Sequence, residues 1–273
     1  MAKTVLITGC SSGIGRATAR AFRGEDWIVY ATARDADDVS DLADLGCETA
    51  ALDVTDPGAV ESVVDRIVTE EGRIDCLVNN AGYGQFGPVE DLPTDALHRQ
   101  FDVNVYGPHR TVRAVLPHMR ERGDGRIVNV SSVASRIVTP GMGAYSGSKA
   151  ALEALTDALR NEVEAYGIEA VLVQPGPVET EFGERAEDQF AALERSGAYE
   201  SLYRIFEDRQ LLGGQLPVAV SPAAVAETIL EAGVTPDPDP RYPVGTVAEL
   251  ALKTRLLPDG VRDAGFRLLS RIA

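Results

Sequence analysis

Thr8-Gly9-Cys10-Ser11-Ser12-Gly13-Ile14-Gly15 is the stretch on which the fold turns. Before it stands a short apolar run, Val5-Leu6-Ile7, of the kind that forms a strand buried on both faces. After it, helical spacing runs from Gly13 to about Glu25, with Ile14, Ala17, Ala21 and Phe22 on one face. Glycines allow the tight turn and let a pyrophosphate approach the backbone, and a helix N-terminus attracts its charge. The glycine spacing G-x-x-x-G-x-G is one of several dinucleotide-binding variants. A glycine cluster alone is often just a turn; its place between the first strand and the first helix makes Gly9, Gly13, Ile14 and Gly15 candidate cofactor contacts.

Strands and helices alternate outward from this turn. Residues 27–30, 49–52, 76–78, 126–130, 170–173 and 242–244 read as further strands. Helical spacing covers about 37–45, 56–71, 94–104, 106–122, 144–165, 184–212 and 222–232. Asp56-Pro57 is a start signal, a capping carboxylate followed by proline in the first turn. Each parallel crossover needs a covering helix. The pattern therefore predicts one α/β domain over residues 1–273: a doubly wound, mostly parallel seven-stranded sheet with helices on both faces. In such sheets ligands bind beyond the carboxyl ends of the strands.

Composition narrows the function. The chain has 273 residues and a net charge of −16, which disfavours nucleic acid and anionic lipid as partners. Cys10, Cys47 and Cys76 have no paired spacing, so neither a disulfide framework nor a zinc site is expected. His98, His109 and His118 lack metal-ligand spacing too, and no metal is expected. Nothing near Lys3 reads as a signal peptide and no run approaches a membrane span, so a cytoplasmic location without a membrane anchor is expected. Lys3, Lys149 and Lys253 are the only lysines; the other basic residues are arginine. With so many carboxylates this fits a surface adapted to high salt, and equally the codon bias of a GC-rich genome.

Chemistry is expected just after the strands. Arg34, after the second strand, is placed to meet a ribose 2′-phosphate, where NAD-specific sites carry an acid; the alternative is a solvated surface cation, and Asp35, Asp37 and Asp38 stand close by. Asp53, followed by Val54, would accept from an adenine amino group or cap its own loop. Tyr145 and Lys149, four apart at the start of a long helix, project from one face, with Ser131-Ser132 just after the fifth strand. A nearby ammonium, and the positive nicotinamide of an oxidised cofactor, favour phenolate and lower a phenol's pKa. Tyr145 would then be general acid in ketone reduction and general base in alcohol oxidation, Ser132 would hold the substrate oxygen, and Lys149 the nicotinamide ribose.

With these residues in place, the sequence resembles the short-chain dehydrogenases/reductases over about residues 5–182. The shared motifs are TGCSSGIG (8–15), LDV (52–54), NNAG (79–82), DVN (102–104), VSS (130–132), YSGSK (145–149) and PGPVET (175–180). The resemblance implies a Rossmann-like fold and selects Ser132 over Ser131 as the catalytic serine. It implies Asn104 as the catalytic asparagine of a water-linked proton relay through Lys149. It implies Asn80, Ala81 and Gly82 along the adenosine side, and Pro175, Gly176, Val178 and Thr180 at the nicotinamide carboxamide. TGCSSGIG with VYATARD (29–35) and GPVET-F (176–182) looks like the 17β-hydroxysteroid and retinol dehydrogenase branch, which implies Ser12, Ser11 and Arg34 as 2′-phosphate contacts. Gly147 stands where alanine is usual, and the hydrophobic anchor of membrane retinol dehydrogenases is missing.

Tyr199, Leu202, Tyr203 and Phe206 recur at helical spacing and suggest a lid over an apolar substrate, within about residues 183–216, with its inner face packed on the core and Gly213-Gly214 as hinge. Residues 241–273 would be a C-terminal extension, with 256–273 a packed tail helix. The expectation is an NADP-preferring oxidoreductase, with NAD as the alternative cofactor, interconverting a ketone and a secondary alcohol on a lipophilic small molecule, as a homodimer or homotetramer. Two other readings stand beside it: a non-catalytic dinucleotide sensor on the same fold, and an epimerase or dehydratase of the wider superfamily. A sensor needs no proton relay, which the joint presence of Asn104, Ser132, Tyr145 and Lys149 supplies.

Overall fold

Seven strands form one sheet: β1 (Thr4–Thr8), β2 (Ile28–Ala33), β3 (Glu48–Ala51), β4 (Cys76–Asn79), β5 (Gly125–Val130), β6 (Ile168–Pro175) and β7 (Arg241–Val244). The structure, a computed structural model, describes residues 2–180, 182, 190–207, 219–254 and 260. The spatial order is β3-β2-β1-β4-β5-β6-β7. Every pairing is parallel, where the alternation predicted a mostly parallel sheet. From β1 the chain steps outward to β3, then crosses back to β4 and proceeds the other way. The reversal opens a crevice between the carboxyl ends of β1 and β4.

The period of two along each strand divides the core. Val5, Ile7, Val29, Cys76 and Val78 face one side, where they pack with Phe22 of helix α1 (Gly13–Gly24) and Ile229 of a late helix, α8 (Pro222–Val234). Leu6, Tyr30, Leu77 and Ile127 face the other, against Val64 and Ile67 of α3 (Pro57–Glu71) and Val115 and Met119 of α5 (Gly107–Arg122). Both faces are covered, as an all-parallel sheet requires. Cys10, Cys47 and Cys76 are free thiols buried on the α1 side, and burial pushes Cys10 and Cys76 up to about 12. Among the described residues no helix is long and apolar enough to cross a membrane, and no cluster of His, Cys, Asp and Glu could hold a metal.

Several expected helices differ in detail. The stretch 37–45 is a 3-10 turn, Ala36–Val39, followed by a short α2 (Ser40–Asp44); the Asp35 carboxylate accepts from the Asp37 amide and starts the turn. The stretch 94–104 is α4 (Thr94–Phe101) running into a π-helical turn, Asp102–Tyr106, which leads to α5. That turn carries the side chain of Asn104 into the interior. α6 (Gly143–Val163) is the long helix expected after β5. The stretch 184–212 is not one helix: residues 194–199 are irregular around Gly197, whose φ of 79° no helix continues, and α7 (Glu200–Glu207) starts beyond it. The Gly213-Gly214 hinge and most of the tail helix lie outside the described residues; before them stand α8, β7 and α9 (Thr246–Thr254).

Candidate active site

The crevice widens into a cleft of about 1120 Å³ beyond the carboxyl ends of the strands. Its phosphate end is the turn after β1. Gly9 has φ 75°, and a Cβ there would lie 2.7 Å from the Ala81 Cα, so only glycine lets the two strand ends meet. The Thr8 hydroxyl accepts from the amides of Asn80 and Ala81, both at 3.1 Å. Asn80 Nδ2 donates in turn to the carbonyls of Thr8 (3.0 Å) and Gly9 (2.9 Å). Asn80 thus lines the cleft while its amide nitrogen fixes the turn. Gly15 lies beneath, where a Cβ would come within 2.1 Å of the Gly9 carbonyl oxygen; it shapes the turn and is not on the cleft wall.

Ser11, Ser12, Gly13 and Ile14 do line the cleft. The first turn of α1 holds no acidic residue, and its N-cap Ser12 makes no side-chain bond to the helix. Amides, an uncommitted hydroxyl and the positive end of a helix suit a pyrophosphate. Arg34 stands exposed at the cleft edge after β2, and among the described residues it has no ion-pair or hydrogen-bond partner. The neighbouring Asp35 is spent on the Asp37 amide. Asp53 Oδ1 accepts from the amide (2.8 Å) and hydroxyl (2.7 Å) of Thr55, so this carboxylate caps its own loop while it and Val54 still border the cleft. These residues fit a nicotinamide dinucleotide, and the free guanidinium fits its phosphorylated form.

Ser132, Tyr145 and Lys149 meet at the other end. Ser132 caps a 3-10 turn, Val133–Ser135, with its hydroxyl accepting from the Ala134 amide at 3.1 Å. The same hydroxyl lies near enough to the Tyr145 phenol to favour its ionisation. Tyr145 is 8% exposed, its ring 5.8 Å from Phe86 and 5.5 Å from Phe182, centroid to centroid. Lys149 Nζ donates to the Val130 carbonyl at 2.8 Å and sits 5.9 Å from the Tyr145 ring centre. The sequence reading expected the ammonium to acidify the phenol. Here burial outweighs every charge: it pushes Tyr145 up to about 12 against the pull of Ser132, and holds Lys149 down to about 8 against the charge of Glu153.

Asn104 is fully buried and not on the cleft wall. Its Oδ1 accepts from the Tyr83 amide (3.1 Å), and its Nδ2 donates to the Tyr83 carbonyl (3.0 Å) and the Ser148 hydroxyl (3.1 Å). The side chain clamps the loop after β4, and only Gly82 separates it from Lys149: a Cβ on that glycine would lie 3.1 Å from Asn104 Oδ1 and 3.6 Å from Lys149 Nζ. Ala81, Gly82, Pro175, Gly176, Val178 and Thr180 all line the cleft. Pro175 ends β6, and Gly176, Val178 and Thr180 follow in the loop after it, tied down by a bridge from Val178 to Val220.

Sequence reasoning missed the apolar wall. Phe86 reaches the cleft from the irregular stretch after β4, and Phe182, Met142 and Leu193 join it from other parts of the chain. No periodicity marks such residues; an aromatic a few positions past the Asn79–Gly82 motif was the available signal. Tyr199, Leu202 and Tyr203 back this wall, and Tyr203 donates to Asp91 Oδ2 at 2.8 Å.

A parallel sheet with this strand order and a Ser-Tyr-Lys group at its crossover crevice defines a class of nucleotide-dependent oxidoreductase. The chain belongs to the short-chain dehydrogenase family, whose model matches residues 3–190. It is therefore an NAD(P)-dependent oxidoreductase acting on a small molecule. The NADPH-dependent 3-dehydrocapnine reductase of Ornithobacterium rhinotracheale is 32% identical, over 96% of this chain and 95% of that protein. The 17-beta-hydroxysteroid dehydrogenase type 1 of Homo sapiens is 38% identical over 89% of this chain and 77% of its own. The crystal structure of a short-chain dehydrogenase from Streptomyces avermitilis superposes with a TM-score of 0.83 at 36% identity, covering 99% and 98% of the two chains.

Proposed function

We propose that this protein interconverts a ketone and a secondary alcohol, prefers NADP(H) to NAD(H), and takes a lipophilic substrate. The observation that carries this reading is the meeting of Ser132, Tyr145 and Lys149 at one end of a cleft whose other end suits a dinucleotide. A nicotinamide bound there supplies or accepts the hydride at the carbonyl carbon. Ser132 holds the carbonyl oxygen by hydrogen bonding and keeps it against the phenol. Tyr145 stays protonated at neutral pH, because burial holds its pKa high, and donates its proton to the oxygen as reduction proceeds. In oxidation Tyr145 must lose that proton first, and the positive charge of Lys149 favours the loss. Asn104 anchors the Tyr83 loop beside Lys149 and keeps the wall of the ribose end in place.

Arg34 and Ser12, whose side chains have no competing partner among the described residues, support NADP over NAD. The named activity of the dehydrocapnine reductase, which uses NADPH, points the same way. Phe86, Phe182, Met142 and Leu193 support an apolar substrate, in keeping with the steroid named for the human relative.

NADPH oxidation with a panel of ketosteroids, retinal, acetoacetyl thioesters and simple ketones tests the reading. Tyr145→Phe should bind NADPH as the parent does and lose about 10²- to 10⁴-fold in kcat. Near-parental turnover in that variant would refute the assigned role. Binding of NADPH by the parent with no turnover across the panel would favour a dinucleotide sensor.

A further inference from the structure

Glu153 is 2% exposed and buried behind the catalytic group; it does not line the cleft itself but bonds to Ser131, which does. Its Oε1 accepts from the Ser131 hydroxyl at 2.9 Å, the Ser135 hydroxyl at 2.5 Å and Gln174 Nε2 at 2.7 Å. Its Oε2 faces a guanidinium nitrogen of Arg136 at 2.5 Å. A buried carboxylate is expensive unless its lone pairs are filled, and removing partners from such a group leaves a large penalty. The chain meets that cost here with donors from two segments, residues 131–136 after β5 and Gln174 on β6, around a carboxylate carried by α6.

Those segments are the ones that carry the chemistry. Ser131 and Ser135 bracket Ser132, and the Ser135 hydroxyl also lies 2.8 Å from the Ser132 carbonyl oxygen. Gln174 immediately precedes Pro175 and Gly176, where the loop after β6 borders the cleft. Glu153 itself sits on α6 one turn beyond Lys149 and two beyond Tyr145. The charged groups facing it are Arg136 from the turn after β5 and Lys149 from its own helix; from β6 it meets the neutral amide of Gln174. Lys149 in turn faces Tyr145, the Val130 carbonyl and Glu153.

We infer that Glu153 is a positioning residue: it locks the serine turn, the tyrosine-lysine helix and the loop after β6 into one register, and sets its negative charge one helical turn from Lys149. The inference rests on the carbonyl chemistry proposed above for its catalytic consequence, but the effect on Lys149 stands apart from it. Burial of Lys149 disfavours its charge, and the Glu153 carboxylate is the opposing influence. A Glu153→Gln side chain keeps the acceptor oxygen and loses the charge, which separates the two duties.

The test uses the full chain with lysines labelled at Cε. Three lysines give three signals, and Lys149→Met identifies the one that matters. In Glu153→Gln the Lys149 titration midpoint should fall by about half a pH unit or more. The kcat for the panel ketone that the parent reduces fastest should drop about 10- to 100-fold, with NADPH affinity kept within about twofold. Ser135→Ala, which removes one strut and no charge, should lower kcat while leaving the Lys149 midpoint in place. A Lys149 midpoint unmoved in Glu153→Gln overturns the inference, since a scaffold role alone leaves it there. Should Glu153→Gln fail to fold, parental kcat in Ser135→Ala overturns it. The titration needs no substrate, so it judges Glu153 even where Tyr145→Phe refutes the carbonyl chemistry.

Discussion

Arg34 shows how far one residue can be read on its own. Its position after the second strand suggested a phosphate contact, and three nearby aspartates weakened the case. The structure weighs against one of these competitors: Asp35 turns back to the Asp37 amide, and the guanidinium is left without a partner among the described residues. Arg34→Asp should therefore invert the charge offered to the ribose, repelling a 2′-phosphate and accepting from a 2′-hydroxyl. The ratio of kcat/KM for NADPH over NADH should fall about 10- to 100-fold. An unchanged ratio would show that this side chain does not read the phosphate. Tyr145 and Lys149 were legible from their spacing, because a helix puts residues four apart on one face. Their acidities were not, because these depend on burial, which for Tyr145 comes in part from Phe86 and Phe182, approaching from segments distant in sequence.

Elements with a local start signal were the easiest to place. The Asp56 carboxylate accepts from the amides of Gly58 (2.8 Å) and Ala59 (3.2 Å), with Pro57 in the first turn, as the sequence suggested for α3. Asp56→Ala should cost about 1 kcal/mol of folding stability, read as a lower urea midpoint at unchanged slope. An unchanged midpoint would mean that packing of Val60, Val64 and Ile67 fixes the helix start without the cap. The π-helical turn at Asp102–Tyr106 was invisible, since one extra residue in a turn leaves the apolar pattern almost intact. The break at 194–199 was overlooked for a different reason. The stripe of Tyr199, Leu202 and Tyr203 is real and packs behind the cleft, but Ser196 and Gly197 ahead of it form an irregular turn whose Ser196 amide bonds Asp91.

For the molecule as a whole, alternation of strands and helices carried the architecture, and the rule about carboxyl ends located the cleft. Strand order and the apolar wall needed tertiary structure, because both depend on which distant segments pack together. The net charge of −16 belongs to this scale too. Self-repulsion of that size is relieved as the Debye length shrinks from about 10 Å at 0.1 M salt to about 3 Å at 1 M. The melting temperature should rise by several degrees between 0.1 and 1 M KCl. A flat or falling curve would leave genomic base composition as the account of the arginine-rich, acidic sequence. Cys10, Cys47 and Cys76 all lie inside one layer of the protein, and two of them hold their protons far above neutrality. Iodoacetamide consequently finds no thiolate to attack until that layer parts from the sheet. The rate of alkylation is thus a clock for opening of the dinucleotide half, and a bound ligand that slows it reports its own affinity.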